Sequence, residues 1–246
     1  MRFRRPGPAP AADDVAGPGR GIELCGVSHR YGDRPVLDGL DLTLTEARIG
    51  VVGANGSGKS TLARLLNGLV VPSEGRVLVD GLDTRTQARA VRRRVGFVFQ
   101  DPDAQIVLPT VAEDVAYGLE NQGVPADERT ARVAEVLERY GLAGHADHPA
   151  HLLSGGQKQL LAIAGVLVMR PARIVFDEPT TLLDLVNARR VTELIAGLEQ
   201  QVVVVTHQLD LLDGFDRVLV VDRGRIVEDA APGPAVAAYS ALMAGR

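Results

Sequence analysis

The glycine-rich segment Gly53–Ser60 (GANGSGKS) has the residue types and the spacing of a phosphate-binding loop. It follows an apolar, strand-like run and precedes a segment with helical character, so its backbone amides would converge on phosphate oxygens at a helix N-terminus, where the helix dipole attracts anions. In such a loop Lys59 reaches the β and γ phosphates of a nucleotide, and the Ser60 hydroxyl is a ligand for Mg²⁺. The segment therefore predicts a site for a nucleotide phosphate chain and its metal ion.

Charged side chains and an imidazole follow two other apolar runs. Asp177 and Glu178 come directly after Ile174–Phe176, and His207 comes directly after Val202–Thr206. An acid at the exit of a buried strand can hold the water shell of a metal ion, and a neighbouring acid can orient a water molecule for in-line attack on a γ phosphate. We therefore expect these three side chains at the same edge of the sheet as the glycine-rich loop.

The stretch Leu152–Gln159 (LLSGGQKQ) is a second glycine-rich segment, and two of its glycines are adjacent. Ser154 is a good helix N-cap, and Gly155 and Gly156 expose their amides, so the stretch predicts another helix start that binds an anion. An ordinary turn is the alternative interpretation.

The bulk composition limits the class of protein. The 246-residue chain is long enough for one large α/β domain, and 46% hydrophobic content can fill a sizeable core. A net charge of −4 argues against a nucleic-acid partner, and the single cysteine, Cys25, indicates a reducing, intracellular compartment. No segment reaches the roughly 20 apolar residues that a spanning helix needs. Residues 1–20 are rich in Pro, Gly and Ala and are expected to form a disordered tail.

Four continuous apolar runs predict strands that are covered on both faces, and hence a mostly parallel sheet flanked by helices. These runs are Ile49–Val52, Val95–Phe99, Ile174–Phe176 and Val202–Val205. Period-two alternation along Leu40–Leu44 and around Val77 and Val79 instead predicts a smaller antiparallel sheet with one wet face. The segment Val218–Val227 predicts a hairpin with Gly224 in its turn.

A helical pattern replaces the strand pattern between about residues 100 and 165. Apolar residues within 133–140 recur with the helical period, and Thr110 and Glu113 have the spacing of a capping box. Three histidines within His145–His151 raise the possibility of a metal site. Because Pro149 would break any helix that aligned them, we expect an ordinary linker there instead.

The combined set of motifs, in its order and approximate spacing over residues 20–230, resembles the ATPase subunits of ABC transporters. The resemblance implies an α/β fold over residues 21–246. Its parts would be a P-loop, RecA-like core with a mostly parallel sheet, a small antiparallel β subdomain and a helical subdomain inserted at about residues 100–165. It also implies hydrolysis of ATP, with Mg²⁺ as a cofactor, to drive transport by a pair of cassettes.

The resemblance assigns roles to the matching residues. Glu178 would polarise the attacking water, and His207 would contact the γ phosphate. Ser60, Gln100 and Asp177 would surround Mg²⁺. The stretch Ser154–Gln157 would hold the γ phosphate of the partner's ATP, which accounts for a second glycine-rich segment. Tyr31 would stack on adenine. The residues expected to bind nucleotide are Tyr31, Gly53, Ala54, Asn55, Gly56, Ser57, Gly58, Lys59, Ser60, Thr61, Gln100, Ser154, Gly155, Gly156, Gln157 and Asp184.

The segment after Gln100 narrows the resemblance. Phe99–Gln105 (FQDPDAQ), followed by Pro109–Gly118, is similar to the ATPases of energy-coupling-factor importers, in which this segment meets a coupling helix of the membrane subunit. Leu182 and Leu183 stand where many relatives have small residues, which looks closest to the biotin-importer branch. The chain also leaves little room after His207 for the C-terminal extension of many vitamin importers. Biotin is therefore the expected cargo, with cobalt or nickel as the alternative.

The resemblance also implies partners and a location. The partners would be a second ATPase subunit, identical or different, a transmembrane coupling subunit and a substrate-binding membrane subunit, at the cytoplasmic face of the cell membrane. A soluble ABC protein for assembly or scaffolding, such as iron–sulfur cluster assembly, is the alternative function, and the sequence after Gln100 favours the importer. A regulator that binds ATP without turnover is disfavoured because Glu178 and His207 are present.

Overall fold

The computed structural model describes residues 21–245, which form two β-sheets with helices packed around them. The strands are β1 (Ile22–Tyr31), β2 (Arg34–Leu44), β3 (Arg48–Gly53), β4 (Glu74–Val79), β5 (Leu82–Asp83), β6 (Val95–Val98), β7 (Arg173–Asp177), β8 (Gln201–Val205), β9 (Arg217–Asp222) and β10 (Arg225–Ala230). The helices are α1 (Lys59–Leu66), α2 (Ala88–Arg94), α3 (Val111–Gln122), α4 (Ala126–Arg139), α5 (Gly155–Leu167), α6 (Leu185–Ala196) and α7 (Pro232–Ala244). The predicted residue 1–20 tail lies outside the described residues.

The larger sheet has the strand order β10-β9-β3-β8-β7-β6, and only the β9–β10 pair is antiparallel. Successive residues of one strand enter different cores: Ile174 and Phe176 pack on one side of the sheet, and Val175 packs on the other. Both faces are therefore covered, which explains the continuous apolar runs. The predicted mostly parallel sheet is confirmed.

The smaller sheet has the order β2-β1-β4-β5 and is antiparallel throughout. Along β2 the side chains of Leu40, Leu42 and Leu44 are buried, whereas Asp41 and Thr43 between them are exposed. One face of this sheet thus packs on the core while the other meets solvent, as the alternating pattern predicts.

Helices α3, α4 and α5 follow β6 and precede β7 along the chain, in the stretch where the sequence predicts the helical insertion, and they pack against one another. At the start of α3 the Thr110 hydroxyl accepts from the Glu113 amide, and the Glu113 carboxylate accepts from the Thr110 amide, which is the predicted capping box. Helix α4 buries Val133 on its inner face. No helix within residues 21–245 is both long enough and apolar enough to cross a membrane.

A chain of polar contacts joins the two sheets at the amino ends of the parallel strands. Arg173, at the start of β7, donates two hydrogen bonds to Asp80, at 2.6 and 2.8 Å, and a third to the Gln201 side chain at 2.6 Å. Gln201 in turn donates to the carbonyl of Glu46 at 2.8 Å. Although burial raises the pKa of Asp80, the hydrogen bonds from Arg173 and Gly21 and the nearby arginine charges outweigh it and hold this pKa below its ordinary value.

Candidate functional site

A cavity of about 1110 Å³ opens at the carboxyl ends of the central parallel strands. Because β3, β7 and β8 are neighbours and run parallel, the segments that follow them meet at this edge. The predicted catalytic residues Glu178 and His207 line the cavity. So do most residues that the sequence predicts to bind nucleotide: Tyr31, Gly53, Ala54, Asn55, Gly56, Gly58, Lys59, Ser60, Thr61 and Gln100. Ser57 is buried and lines a smaller neighbouring pocket.

The predicted phosphate-binding loop, Gly53–Ser60, runs from the end of β3 to the start of α1. Gly58 has a φ of 107°, and a Cβ atom there would lie 2.7 Å from the Leu37 side chain and 2.9 Å from the Val36 carbonyl oxygen. Only glycine fits this conformation and this space. No side chain caps the N-terminus of α1, which is the arrangement that leaves helix amides available to an anion.

Lys59 is folded back onto the loop. Its Nζ donates hydrogen bonds to the carbonyl oxygens of Gly53, at 2.8 Å, and Ala54, at 3.0 Å. Burial lowers the pKa of Lys59, while the negative charges of Glu178 and Asp177 act in the opposite direction. The ammonium group is therefore held inside the loop, at the place where a phosphate chain would enter.

Ser60 and Asp177, two of the predicted magnesium ligands, lie together: Ser60 lines the cavity, and Asp177 is buried directly behind it. The Ser60 hydroxyl donates to Asp177 Oδ1 at 2.8 Å, and Arg64 lies 4.0 Å from Oδ2. Burial raises the pKa of Asp177, and the Ser60 hydrogen bond and the Arg64 charge oppose that rise. A hydroxyl, a carboxylate and the amide of Gln100 nearby are hard oxygen donors, so this residue set suits Mg²⁺.

The Glu178 carboxylate is fixed through one of its two oxygens. His207 Nδ1 lies 2.7 Å from Oε2, and the Thr181 hydroxyl donates to the same oxygen at 3.0 Å. The backbone of Glu178 has a φ of 52°, and its amide donates to the Val205 carbonyl at 2.9 Å. This hydrogen bond to strand β8 fixes the position of the Glu178 backbone. Within residues 21–245, Oε1 has no hydrogen-bond partner. One carboxylate oxygen is thus anchored while the other stays available in the cavity.

The second glycine-rich segment, with Gly155 and Gly156, lies outside this cavity, at the start of α5. Ser154 and Gln157 form a capping box: Ser154 Oγ accepts from the Gln157 amide at 3.4 Å, and Gln157 Oε1 accepts from the Ser154 amide at 2.9 Å. The predicted nucleotide ligand Asp184 also lies outside it and caps α6 through Asn187, with two hydrogen bonds of 2.8 Å. Gly156 touches the same Asn187, because a Cβ atom on Gly156 would fall 2.4 Å from that side chain.

Several cavity residues carry no motif that the sequence reveals. Arg30 and Arg34 lie on either side of Tyr31, whose ring is 48% exposed and packs edge-on against His29. Four others belong to none of the sequence motifs: Thr181, Arg223, Tyr239 and Met243. Of these four residues, Thr181 alone could have been predicted from the sequence, because its hydroxyl comes three residues after Glu178.

Comparison with known proteins shows which family the chain is similar to. The family described as ABC transporter matches residues 37–181, more than half of the chain. A putative ABC transporter ATP-binding protein of Deinococcus radiodurans is 62% identical over 222 residues, which are 90% of this chain and 98% of that protein.

Two further relatives have names that specify a kind of transporter. The biotin transport ATP-binding protein BioM of Rhizobium etli is 47% identical and covers 91% of this chain and 98% of its own. The energy-coupling factor transporter ATP-binding protein EcfA1 of Symbiobacterium thermophilum is 50% identical, over 82% of this chain and 76% of its own.

Among solved structures, cbiO1 from Clostridium perfringens, described as part of the ABC transporter complex cbiONQ, superposes with a TM-score of 0.78. It is 33% identical and covers 92% of this chain and 94% of its own. The predicted cassette fold is thereby confirmed. The chain belongs to the ABC transporter family, as one of its ATP-binding subunits, which are ATPases coupled to transport.

Proposed function

We propose that this ATPase powers an importer of the energy-coupling-factor class and that Glu178 is its general base. The observation that carries the catalytic role is the one-sided anchoring of the Glu178 carboxylate. His207 and Thr181 both bind Oε2, so Oε1 can accept a proton from a water molecule in the cavity. A base that is held in one orientation loses little entropy when that water attacks the γ phosphate.

The other cavity residues hold the nucleotide. Tyr31 offers a half-exposed ring to the adenine base. The loop amides take the phosphates, and Lys59 exchanges the carbonyls of Gly53 and Ala54 for phosphate oxygens. Ser60, Asp177 and Gln100 would hold Mg²⁺, which would neutralise the negative charge that develops on the phosphate chain during hydrolysis.

A second cassette completes the site. Ser154–Gln157 forms a capped helix start that lies outside the cavity of its own chain, and we assign it to the γ phosphate on the partner cassette. Near Asp184 three large apolar side chains face solvent: Leu182 at 62%, Leu185 at 80% and Val186 at 77% exposure. An apolar patch of this kind beside a helix start favours burial against another chain.

The membrane partners are proposed from a different surface. Val107 and Tyr117, in the region after Gln100, are 63% and 45% exposed. They offer apolar area to the coupling subunit, and binding there would hold the chain at the cytoplasmic face of the membrane. Biotin is the cargo we favour, on the strength of the identity to BioM over almost the whole chain, with cobalt or nickel as the alternative. Soluble assembly ATPase activity is not favoured.

The test of the catalytic proposal is Glu178→Gln, which keeps the shape of the side chain and removes its basicity. We expect unchanged ATP binding, loss of phosphate release and accumulation of ATP-bound dimers in light scattering. Glu199→Gln, an exposed glutamate in the turn before β8, is the matched control and should behave as wild type. Undiminished hydrolysis by Glu178→Gln would remove this residue from the role of base.

The cargo is tested separately, because the ATPase does not touch it. Cells that lack the chain should lose uptake of labelled biotin and regain it with wild type but not with Glu178→Gln. Loss of cobalt or nickel uptake with intact biotin uptake would select the alternative cargo. Copurification from native membranes should recover two kinds of membrane subunit, and recovery of none would contradict the importer assignment.

A further inference from the structure

Two of the three clustered histidines come together in the linker before α5. A 3-10 turn runs through Ala143–His145, and the His148 amide donates to the His145 carbonyl at 2.9 Å. This hydrogen bond closes a tight turn that brings residues 145 and 148 together, and the two imidazoles meet edge to face at an interplanar angle of 72°. Their Nδ1 atoms are 2.9 Å apart and their ring centroids 4.9 Å apart. Pro149 does not prevent this, because the turn is complete at His148.

The remaining contacts determine which ring nitrogens of the two histidines carry a proton. Gln157 Oε1 already accepts from the Ser154 amide, so its Nε2 is the donor toward His145 Nε2, 3.0 Å away. An accepting Nε2 carries no proton, so a neutral His145 is protonated on Nδ1. That proton is donated to His148 Nδ1, and the two facing nitrogens share a single proton between them.

We propose that His145 and His148 bind a divalent transition-metal ion through their two Nδ1 atoms, once these atoms have given up the proton that they share. Imidazole nitrogen is a common ligand for such ions. Within residues 21–245 no third His, Cys, Asp or Glu joins the pair to complete a metal cluster, so water fills the other positions.

The spacing selects the kind of ion. With metal–nitrogen bonds of about 2.05 Å, two nitrogens 2.9 Å apart subtend an angle of about 90° at the ion. A tetrahedral ion with the same bonds needs nitrogens about 3.3 Å apart. Right angles belong to square-planar, tetragonal or octahedral coordination, so Ni²⁺ and Cu²⁺ are the ions to test first, with Zn²⁺ as the comparison.

Metal binding changes His145 Nε2 from a hydrogen-bond acceptor for Gln157 into a donor. When the ion occupies Nδ1, the His145 proton moves through solvent to Nε2, and the charge on the ring is unchanged. Nε2–H then faces the Gln157 amide donor, so the 3.0 Å contact is replaced by two opposed donors. The occupied site therefore releases the Gln157 side chain from the linker and loosens the capping box at the start of α5.

The experiment is a calorimetric titration of the full-length chain, without an affinity tag, with NiCl₂ in the absence of nucleotide. We expect one saturable equivalent of Ni²⁺ in wild type, lost in His145→Ala and in His148→Gln. The matched controls are His151→Ala, which removes the third linker histidine, and His207→Ala, which removes the one in the cavity. Both should retain the equivalent. Melting curves check that each variant is folded.

Each outcome decides the proposal. Unchanged Ni²⁺ binding in folded His148→Gln would overturn it, and loss only in His207→Ala would move the metal to the cavity. Tighter binding of ZnCl₂ than of NiCl₂ would refute the right-angle geometry. Bound Cu²⁺ should show electron-spin couplings to two nitrogens in wild type and to fewer in His148→Gln; equal couplings in both would also refute it.

Discussion

Replacement of Thr181 by valine tests whether Glu178 depends on two anchors or on one. Valine has nearly the same shape as threonine, so the change removes the hydroxyl that donates to Glu178 Oε2 at 3.0 Å and leaves the His207 contact at 2.7 Å. A hydrogen bond to a charged group contributes about 1.5–3 kcal/mol. Because His207 still holds the same oxygen, we expect the lower end, about 1.5 kcal/mol, which corresponds to a roughly tenfold fall in kcat.

The assay is phosphate release at saturating ATP, with ATP affinity measured in parallel. Thr181→Ser keeps the hydroxyl and should retain most of the activity, whereas Thr181→Val should lower kcat with little change in ATP affinity. Turnover of the valine variant within twofold of wild type would show that His207 alone positions Glu178. An equal loss in the serine variant would show that packing of the Thr181 methyl group, rather than the hydrogen bond, matters.

The remaining predictions concern the glycine-rich loop, the pair of cassettes and the stability of the fold. Lys59→Ala should lose ATP affinity in a binding titration, since its Nζ is the only ammonium that lines the described cavity; unchanged affinity would contradict the loop assignment. Ser154→Ala should spare ATP binding to the monomer and cripple hydrolysis by the pair, and equal damage to both would mean that the two loops serve one nucleotide. Asp80→Asn should lower the free energy of unfolding at neutral pH by roughly 2 kcal/mol, because Arg173 loses a charged partner. The pKa of Asp80 is lowered in the folded state, so its contribution is present above about pH 4 and is lost as the pH falls further. Acid melts should therefore show a smaller pH dependence in Asp80→Asn, and superimposable profiles would refute the role of this ion pair.

The strands and the main motifs were predictable because their signals are local. Val202–Val205 is apolar at every position since both faces of β8 are buried, and the Thr110 capping box needs only residues within one turn. The nucleotide cavity was predictable in outline for a related reason. Parallel strands that end together bring their following residues to one edge, so Asp177 and His207 could be placed there without coordinates.

Contacts between distant segments were not predictable in the same way. Tyr239 and Met243 reach the cavity because α7 packs back on β9 and β10, and nothing in their own neighbourhood marks them as cavity residues. The pairing of His145 with His148 was missed for a different reason. Pro149 excludes a regular helix that would align three histidines, but the chain forms a tight turn that pairs two of them.

The close contact between Gly156 and Asn187 has a kinetic consequence. There is no room for even one carbon atom between them. Asn187 also makes two hydrogen bonds to Asp184, which lies in the segment that follows Glu178. A shift of that segment after hydrolysis must therefore move the start of α5, which we propose binds the nucleotide on the neighbouring cassette. Two such sites would not turn over independently. The rate should rise sigmoidally with ATP concentration, and a pair of one wild-type and one Glu178→Gln chain should retain far less than half of the activity.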